Sequence, residues 1–108
     1  MSRFSDVTTM MKSFPLTACE FDHVDIGTKV PFGEYTFSID TFSTDNKVSA
    51  KIYTVTLMIY TPKLDAKLDQ AIETGLSDNE LSWTRSDPEW IEDSKMYGIM
   101  YTFSFVDT

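Results

Sequence analysis

The chain has very few of the residues that build catalytic sites. Its 108 residues include one cysteine, one histidine and four glycines. The lone cysteine, Cys19, cannot form an internal disulfide, and no histidine is placed to activate it, so we expect a small buried side chain. Four scattered glycines exclude a glycine-rich phosphate loop, and a single histidine leaves no Ser-His-Asp set around an elbow-type turn. The sequence therefore predicts no enzymatic activity and no cofactor.

Positive charge and long apolar runs are also scarce. The 17 acidic and 9 basic side chains give a net charge of -8, the wrong sign for coating a nucleic-acid backbone. This excludes a DNA or RNA reader, whereas it favours solubility and a surface that DNA can pass without sticking. No apolar run reaches the length of a signal peptide or a membrane span, so we expect a soluble cytosolic product.

Carboxylates are the only abundant metal ligands, and they form two clusters. The first comprises Glu20, Asp22, His23 and Asp25, and the second comprises Asp87, Glu89, Glu92 and Asp93. A calcium loop would need an internal glycine and a closing glutamate at fixed spacing, which neither cluster has. Both are typical of solvated acidic turns, so no metal site is predicted.

Segments built for packing and pairing make up most of the chain. With 42% apolar and 14% aromatic residues, it can fill one core, and we expect a single domain over 1–108. Helical spacing of apolar residues predicts helices over 2–14 and 64–76. Alternation and β-branched content predict strands over 16–21, 32–42, 48–61, 81–84 and 97–105. These elements predict an α+β fold: a mainly antiparallel sheet of about four to five strands packed with two helices.

Two local patterns add detail to this predicted fold. The turn residues 44–47 join two β-rich runs and predict a hairpin. The run over 48–61 is apolar on both faces, which predicts a central strand covered by helix on one face and by another element on the second. Pro88 is expected in a polar link before the last strand.

Because the sequence predicts no catalytic or metal site, the candidate functional residues are interface residues. Tryptophan is over-represented among the residues that carry interface energy, and Trp90 has polar neighbours that favour its exposure. Trp83 alternates with Leu81 and is expected in the core. The candidate surfaces are the segment of Trp90, Ile91 and Tyr97, and the hairpin tip of Asp45, Asn46 and Lys47, which either projects outward or is an ordinary tight turn.

Several segments resemble small tail-completion proteins of long-tailed phages and prophages of Gram-positive bacteria. They are residues 44–48 with 51–52, residues 59–61 with Lys63 and Asp65, and residues 90–92 followed by 95–97. The N-terminal helix, a short strand and a strand led by Pro31 and Phe32 are also similar to that family. The chain departs from the family at residues 49–50, where bulkier side chains are usual, and at Gly98 inside the last strand.

The resemblance implies a tail terminator: an α+β domain that assembles as a ring, typically a hexamer, on the end of the tail tube. Its implied partners are other copies of itself, the major tail tube protein and the head-tail connector protein, while DNA passes through without specific binding and no membrane is involved. The protein would be assembled in the bacterial host cytoplasm and reside in the virion, at the head-tail interface. One alternative is a small regulatory module that binds a protein or peptide at a sheet edge, favoured if the last strand is an unpaired edge. Another is a head-side connector or stopper protein.

Overall fold

The computed structural model describes residues 3–44 and 47–107. In these ranges the chain forms two helices and six strands: α1 (Arg3–Lys12), β1 (Ala18–Phe21), β2 (Phe32–Thr44), β3 (Lys47–Thr61), α2 (Ala66–Asp78), β4 (Trp83–Arg85), β5 (Glu89–Ile91) and β6 (Met96–Asp107). The strands form one sheet in the order β1-β2-β3-β6-β4, and β5 also pairs with β6. Every pairing is antiparallel except that of β1 with β2. The predicted α+β class is confirmed.

The core lies between one face of the sheet and both helices. Alternate residues of β3 and β6 point to this face and are almost fully buried: Val55, Leu57, Ile59, Ile99, Tyr101 and Phe103. The helices add Val7, Met10 and Met11 from α1, and Leu68, Ile72 and Leu76 from α2. Strand β3 is central, as predicted. The second cover predicted for it is not supplied by the described elements, since Ile52, Met58 and Tyr60 on the other face are only half-buried.

Strands β4 and β5 together form one interrupted edge strand along β6. Trp83 pairs with Phe103 in β4, and Trp90 pairs with Tyr97 in β5. Between them the Ser86 amide donates to the Met100 carbonyl, and the Ser86 hydroxyl accepts from the Met100 amide, both at 2.9 Å. Pro88 lies in a short polar link over residues 86–88, as predicted, whereas the strand β5 that follows the proline was not predicted.

The last strand, β6, is not an edge. It pairs with β3 from Tyr97 to Asp107 on one side and with β4 and β5 on the other. The condition that would have favoured a peptide-binding module with an unpaired last strand is therefore not met.

Both helices receive acceptors at their first turns. The Asp65 carboxylate accepts from the amides of Lys67 and Leu68 at 3.0 and 3.2 Å, so α2 begins at Ala66. In α1 the Asp107 carboxylate accepts from the amides of Arg3 and Phe4, each at 3.2 Å. Ser2, where the predicted N-terminal helix begins, lies outside the described residues. Neither described helix is long and apolar enough to cross a membrane.

Replacing Asp107 by alanine is expected to lower the free energy of unfolding by about 1 kcal/mol, because two amides in the first turn of α1 lose a charged acceptor. Urea denaturation followed by circular dichroism measures the change. The matched control is Asp40→Ala in β2, since the Asp40 side chain is exposed and accepts no hydrogen bond from residues 3–44 and 47–107. Equal losses in the two variants would contradict the capping role of Asp107.

Candidate functional site

Trp90 lies at the end of the sheet where β5 turns into β6. Its ring packs edge-on against Tyr97, with the ring centroids 4.9 Å apart, and 44% of the residue is exposed. The indole Nε1 donates to Glu92 Oε2 at 2.7 Å, and the Lys95 ammonium contacts the other oxygen of Glu92. The hydrogen bonds from Lys95 and then from Trp90 lower the pKa of Glu92. Trp90 is therefore a partly exposed aromatic side chain with a fixed orientation, and the opposite charges of Glu92 and Lys95 lie beside it.

Ile91 is next to Trp90 in sequence but lies on the opposite face of the sheet. Its side chain crosses Gly98, where an added Cβ would lie 3.4 Å from Ile91 Cδ1 and 3.6 Å from Met58 Cε. Gly98, one of the departures from the family pattern, therefore leaves room for Ile91 to pack onto β6 and β3. The structure brings Trp90 and Tyr97 together on one face of the sheet and places Ile91 on the opposite face.

The hairpin between β2 and β3 extends past the rest of the sheet. Asp45 and Asn46 lie outside the described residues, whereas Lys47 pairs with Thr44 and is exposed. The last pair between β3 and β6 joins Lys51 to Asp107, so beyond it the described hairpin has only two strands. We call residues 39–44 and 47–52 the arm. Since β3 has 15 residues, Lys47 and the Trp90 end of the sheet are about 46 Å apart along the strand.

The arm carries apolar side chains that no described element covers. Ile39 lies on the same face of the sheet as Phe37. The ring of Phe4 in α1 packs against Phe37, but no described helix extends as far as Ile39, so 45% of Ile39 is exposed. Phe42, on the opposite face, is 53% exposed. Each face of the arm therefore offers one exposed apolar side chain that a partner could cover.

The outer edge of β2 is also free along the arm. Strand β1 covers this edge only as far as Tyr35, whose carbonyl accepts from the Asp22 amide at 2.8 Å. Because peptide groups alternate in direction along a strand, those of Phe37, Ile39 and Thr41 also point away from β3. No described strand pairs with them. The opposite edge of the sheet is shielded instead, since β4 and β5 are short and are separated by a proline.

A groove of about 420 Å³ lies between α1 and the β1-β2 edge. We call it the groove, and its lining is Phe4, Thr8, Lys12, Phe21, Tyr35 and Phe37. The rings of Phe21 and Phe37 are 5.2 Å apart, and 53% of Phe21 is exposed. Sequence reasoning missed this surface because it depends on the parallel pairing of β1 with β2, which neither strand's own pattern specifies.

The first acidic cluster borders the groove. Glu20, His23 and Asp25 line a second depression that shares Phe21 with the groove. His23 Nδ1 lies 3.0 Å from Asp22 Oδ2, and this hydrogen bond, followed by the charge of Asp22, raises the pKa of His23. Within residues 3–44 and 47–107, no three histidine, cysteine, aspartate or glutamate side chains converge as metal ligands.

A half-buried polar network joins α2 to the sheet. The Arg85 guanidinium donates to Asp69 at 3.0 Å and lies 3.9 Å from Glu73, and the Tyr101 hydroxyl donates to Glu73 at 2.7 Å. Burial, and then the hydrogen bond to Glu73, raise the pKa of Tyr101 well above its ordinary range. The four side chains are partners of one another, so the network fastens the helix to β4 and β6.

Cys19 is buried in β1, as expected from its sequence context. Burial raises the pKa of its thiol to about 11, so the thiol stays protonated near neutral pH. A protonated buried thiol is a poor nucleophile.

The fold as a whole is similar to a solved one. A chain of the virion of a native gene transfer agent (GTA) particle aligns with a TM-score of 0.57 at 13% sequence identity. The alignment covers 94% of this chain and 84% of that chain. No family model matches the sequence, and no curated protein matches it. The two chains share a fold over nearly their whole lengths.

Proposed function

We propose that this protein is a structural component of a phage-like virion and acts as a tail terminator or tail-completion protein at the head-tail joint. The observation that carries the proposal is the fold shared with a chain of a gene transfer agent virion over 94% of the present chain. The terminator role rests on the sequence segments that resemble tail-completion proteins. Open apolar surfaces at separate places on one small domain support a protein that works by contact.

In the proposed mechanism, copies of the chain assemble side by side as a hexameric ring on the end of the tail tube. A ring needs two different surfaces on each copy that fit each other, because a head-to-tail contact repeated by rotation closes on itself. The finished ring covers the tube end, so no further tube subunit can add. It then presents a new surface to the head-tail connector.

The candidate interface residues fall in two separated regions, which supports a joining role. Trp90 and Tyr97 are at one end of β3, and Lys47 is at the other, beside Asp45 and Asn46 in sequence. A joint has two different neighbours, the tube and the connector, and two separated contact regions serve two neighbours. Trp90, an exposed and oriented aromatic side chain, is the strongest single anchor among them.

The net charge of -8 is consistent with this role. DNA must move through a head-tail joint without being held there. A lumen lined by carboxylates repels the phosphate backbone, so passage remains unobstructed.

The test is to purify the chain, determine its mass by light scattering, and examine it by negative-stain microscopy alone and with tail tubes. We expect ring-shaped particles, either free or on tube ends, and tubes that stop growing when the protein is added. The variant Trp90→Ala is expected to weaken binding to the tube or to the connector. A protein that stays monomeric at high concentration and leaves tube growth unchanged would contradict the proposal.

The free edge of β2 favours one other function, that of a module that binds an extended peptide by strand addition. Such a module would bind peptides as a monomer and would ignore tail tubes. The same light-scattering and tube-binding measurements therefore separate the two functions.

A further inference from the structure

Two open surfaces of this chain complement each other but cannot meet within one molecule. The arm is paired along both strands, and Thr41 remains paired with Lys51 in the sheet. It cannot fold back onto the groove, because Phe37 at the base of the arm is itself part of the groove lining. We propose that the arm of one copy occupies the groove of a second copy. This inference rests on the proposed ring and names the contact that builds it.

The first argument is apolar complementarity. The arm presents Ile39 on one face and Phe42 on the other, each about half exposed, and the groove presents the half-exposed ring of Phe21. Both surfaces lose apolar area to the partner when the contact forms, which is the main driving force of association. Both also border an unpaired strand edge, so backbone groups of β2 and β1 have partners available in the same contact.

The charges of the two surfaces also fit each other. The groove is flanked by the exposed carboxylates of Asp22 and Asp25 and by that of Glu20, which pairs with the groove residue Lys12 at 3.4 Å. In a chain with a net charge of -8, most surfaces of a second copy would be repelled by this flank. Residues 39–52 are an exception, since their two aspartates and two lysines sum to zero. Lys47 and Lys51 are exposed and have no ion-pair partner in the described part of the chain.

The symmetric alternative, in which two arms pair edge to edge, brings like charges together. The free edge of β2 spans residues 36–44, and antiparallel pairing of two such edges with full overlap centres on residue 40. Two Asp40 carboxylates would then face each other across a pair whose Cα atoms are about 4.5 Å apart. Like charges directly opposite one another destabilise a strand pair. Arm-to-arm pairing with full overlap is thus disfavoured, whereas the arm-to-groove contact joins different surfaces and can close a ring.

The test is disulfide trapping with one cysteine in each surface. Phe42→Cys places a thiol on the arm, and Phe21→Cys places one beside the groove. The double variant, oxidised with and without tail tubes, is expected to give a ladder of linked copies. A mixture of the two single variants is expected to give only a linked pair, and each single variant alone no linked product. The unsubstituted chain controls for Cys19.

A second measurement does not depend on trapping. Ile39→Ser combined with Phe42→Ser is expected to raise the concentration needed for assembly by at least about tenfold, because the double variant removes the apolar side chain that the groove buries, whichever face of the arm enters it. The control is Leu64→Ser, which removes a side chain of similar exposure outside both surfaces and is expected to leave assembly unchanged. Circular dichroism confirms that each variant is folded.

The outcomes separate this inference from the proposed function. Rings seen by microscopy without any ladder would overturn the arm-to-groove contact and leave the terminator role standing. Linked dimers of the Phe42→Cys variant alone would also overturn it, in favour of arm-to-arm pairing. A monomer that neither assembles nor binds tubes would overturn both.

Discussion

Replacing Ile72 by alanine is expected to lower the free energy of unfolding by about 2–5 kcal/mol, the range for large-to-small changes in a packed core. Ile72 is fully buried at the centre of the apolar stripe of α2, between Leu68 and Leu76. The substitution removes its contacts with the sheet and leaves a cavity. Urea denaturation followed by tryptophan fluorescence and circular dichroism measures the loss.

The matched control is Thr74→Ala on the exposed side of the same helix, expected to change stability by less than about 0.5 kcal/mol. Since a domain of this size is stable by only about 5–15 kcal/mol, the Ile72 variant is also expected to assemble poorly at elevated temperature. A loss below about 1 kcal/mol would contradict the packing of α2 on the sheet, because core substitutions of this kind cost more.

Replacing Arg85 by methionine is expected to cost about 1–3 kcal/mol at neutral pH, because two partly buried carboxylates lose their shared cation. Asp69 accepts a hydrogen bond from Arg85, and Glu73 lies next to the same guanidinium. Methionine keeps much of the length of the arginine stem, so the change is chiefly one of charge. Urea denaturation at several pH values measures the cost.

The pH dependence follows from Asp69. Burial raises the pKa of its carboxyl above the ordinary 3.8, and Arg85 acts in the opposite direction. A raised folded-state pKa means that the acid's contribution to stability is fully present below the unfolded-state pKa and is lost as the pH rises through the folded-state pKa. Removing Arg85 raises the folded-state pKa further, so the deficit of the variant is expected to be largest at neutral pH and to shrink as the pH falls toward about 4.

The control for this series is Lys67→Met, which removes an exposed cation of α2 that has no ion-pair partner in the described ranges. Its stability relative to the unsubstituted chain is expected to depend little on pH. A deficit of Arg85→Met that is equal at pH 4 and pH 7 would show that the stem of the arginine, rather than its charge, holds α2 in place.

The elements that the sequence predicts well are those whose signals are local. The stripe of Leu68, Ile72 and Leu76 defines α2, and the alternation in β3 defines a central strand. Strand β5 has no such signal, because three residues cannot show a period and they become a strand only where β6 offers a free edge. Likewise the Asp107 acceptor for α1 joins residues more than a hundred positions apart.

The candidate surfaces also differ in whether a local sequence signal predicts them. The polar neighbours of Trp90 predict its exposure, and the residue is exposed. The place of Ile91 on the opposite face follows from strand alternation, but only once β5 is known to be a strand. The groove was missed because its rings come from α1, β1 and β2, whose mutual placement is a tertiary property. The interface roles of all these residues remain predictions.

The position of β6 has a consequence for biosynthesis. This strand follows every other strand in the sequence, yet it lies between β3 and the short strands β4 and β5. During synthesis, β6 is the last strand to leave the ribosome. Until Asp107 has emerged, β3 lacks its partner strand β6, and the first turn of α1 lacks its carboxylate acceptor. Formation of the complete sheet is therefore tied to completion of β6.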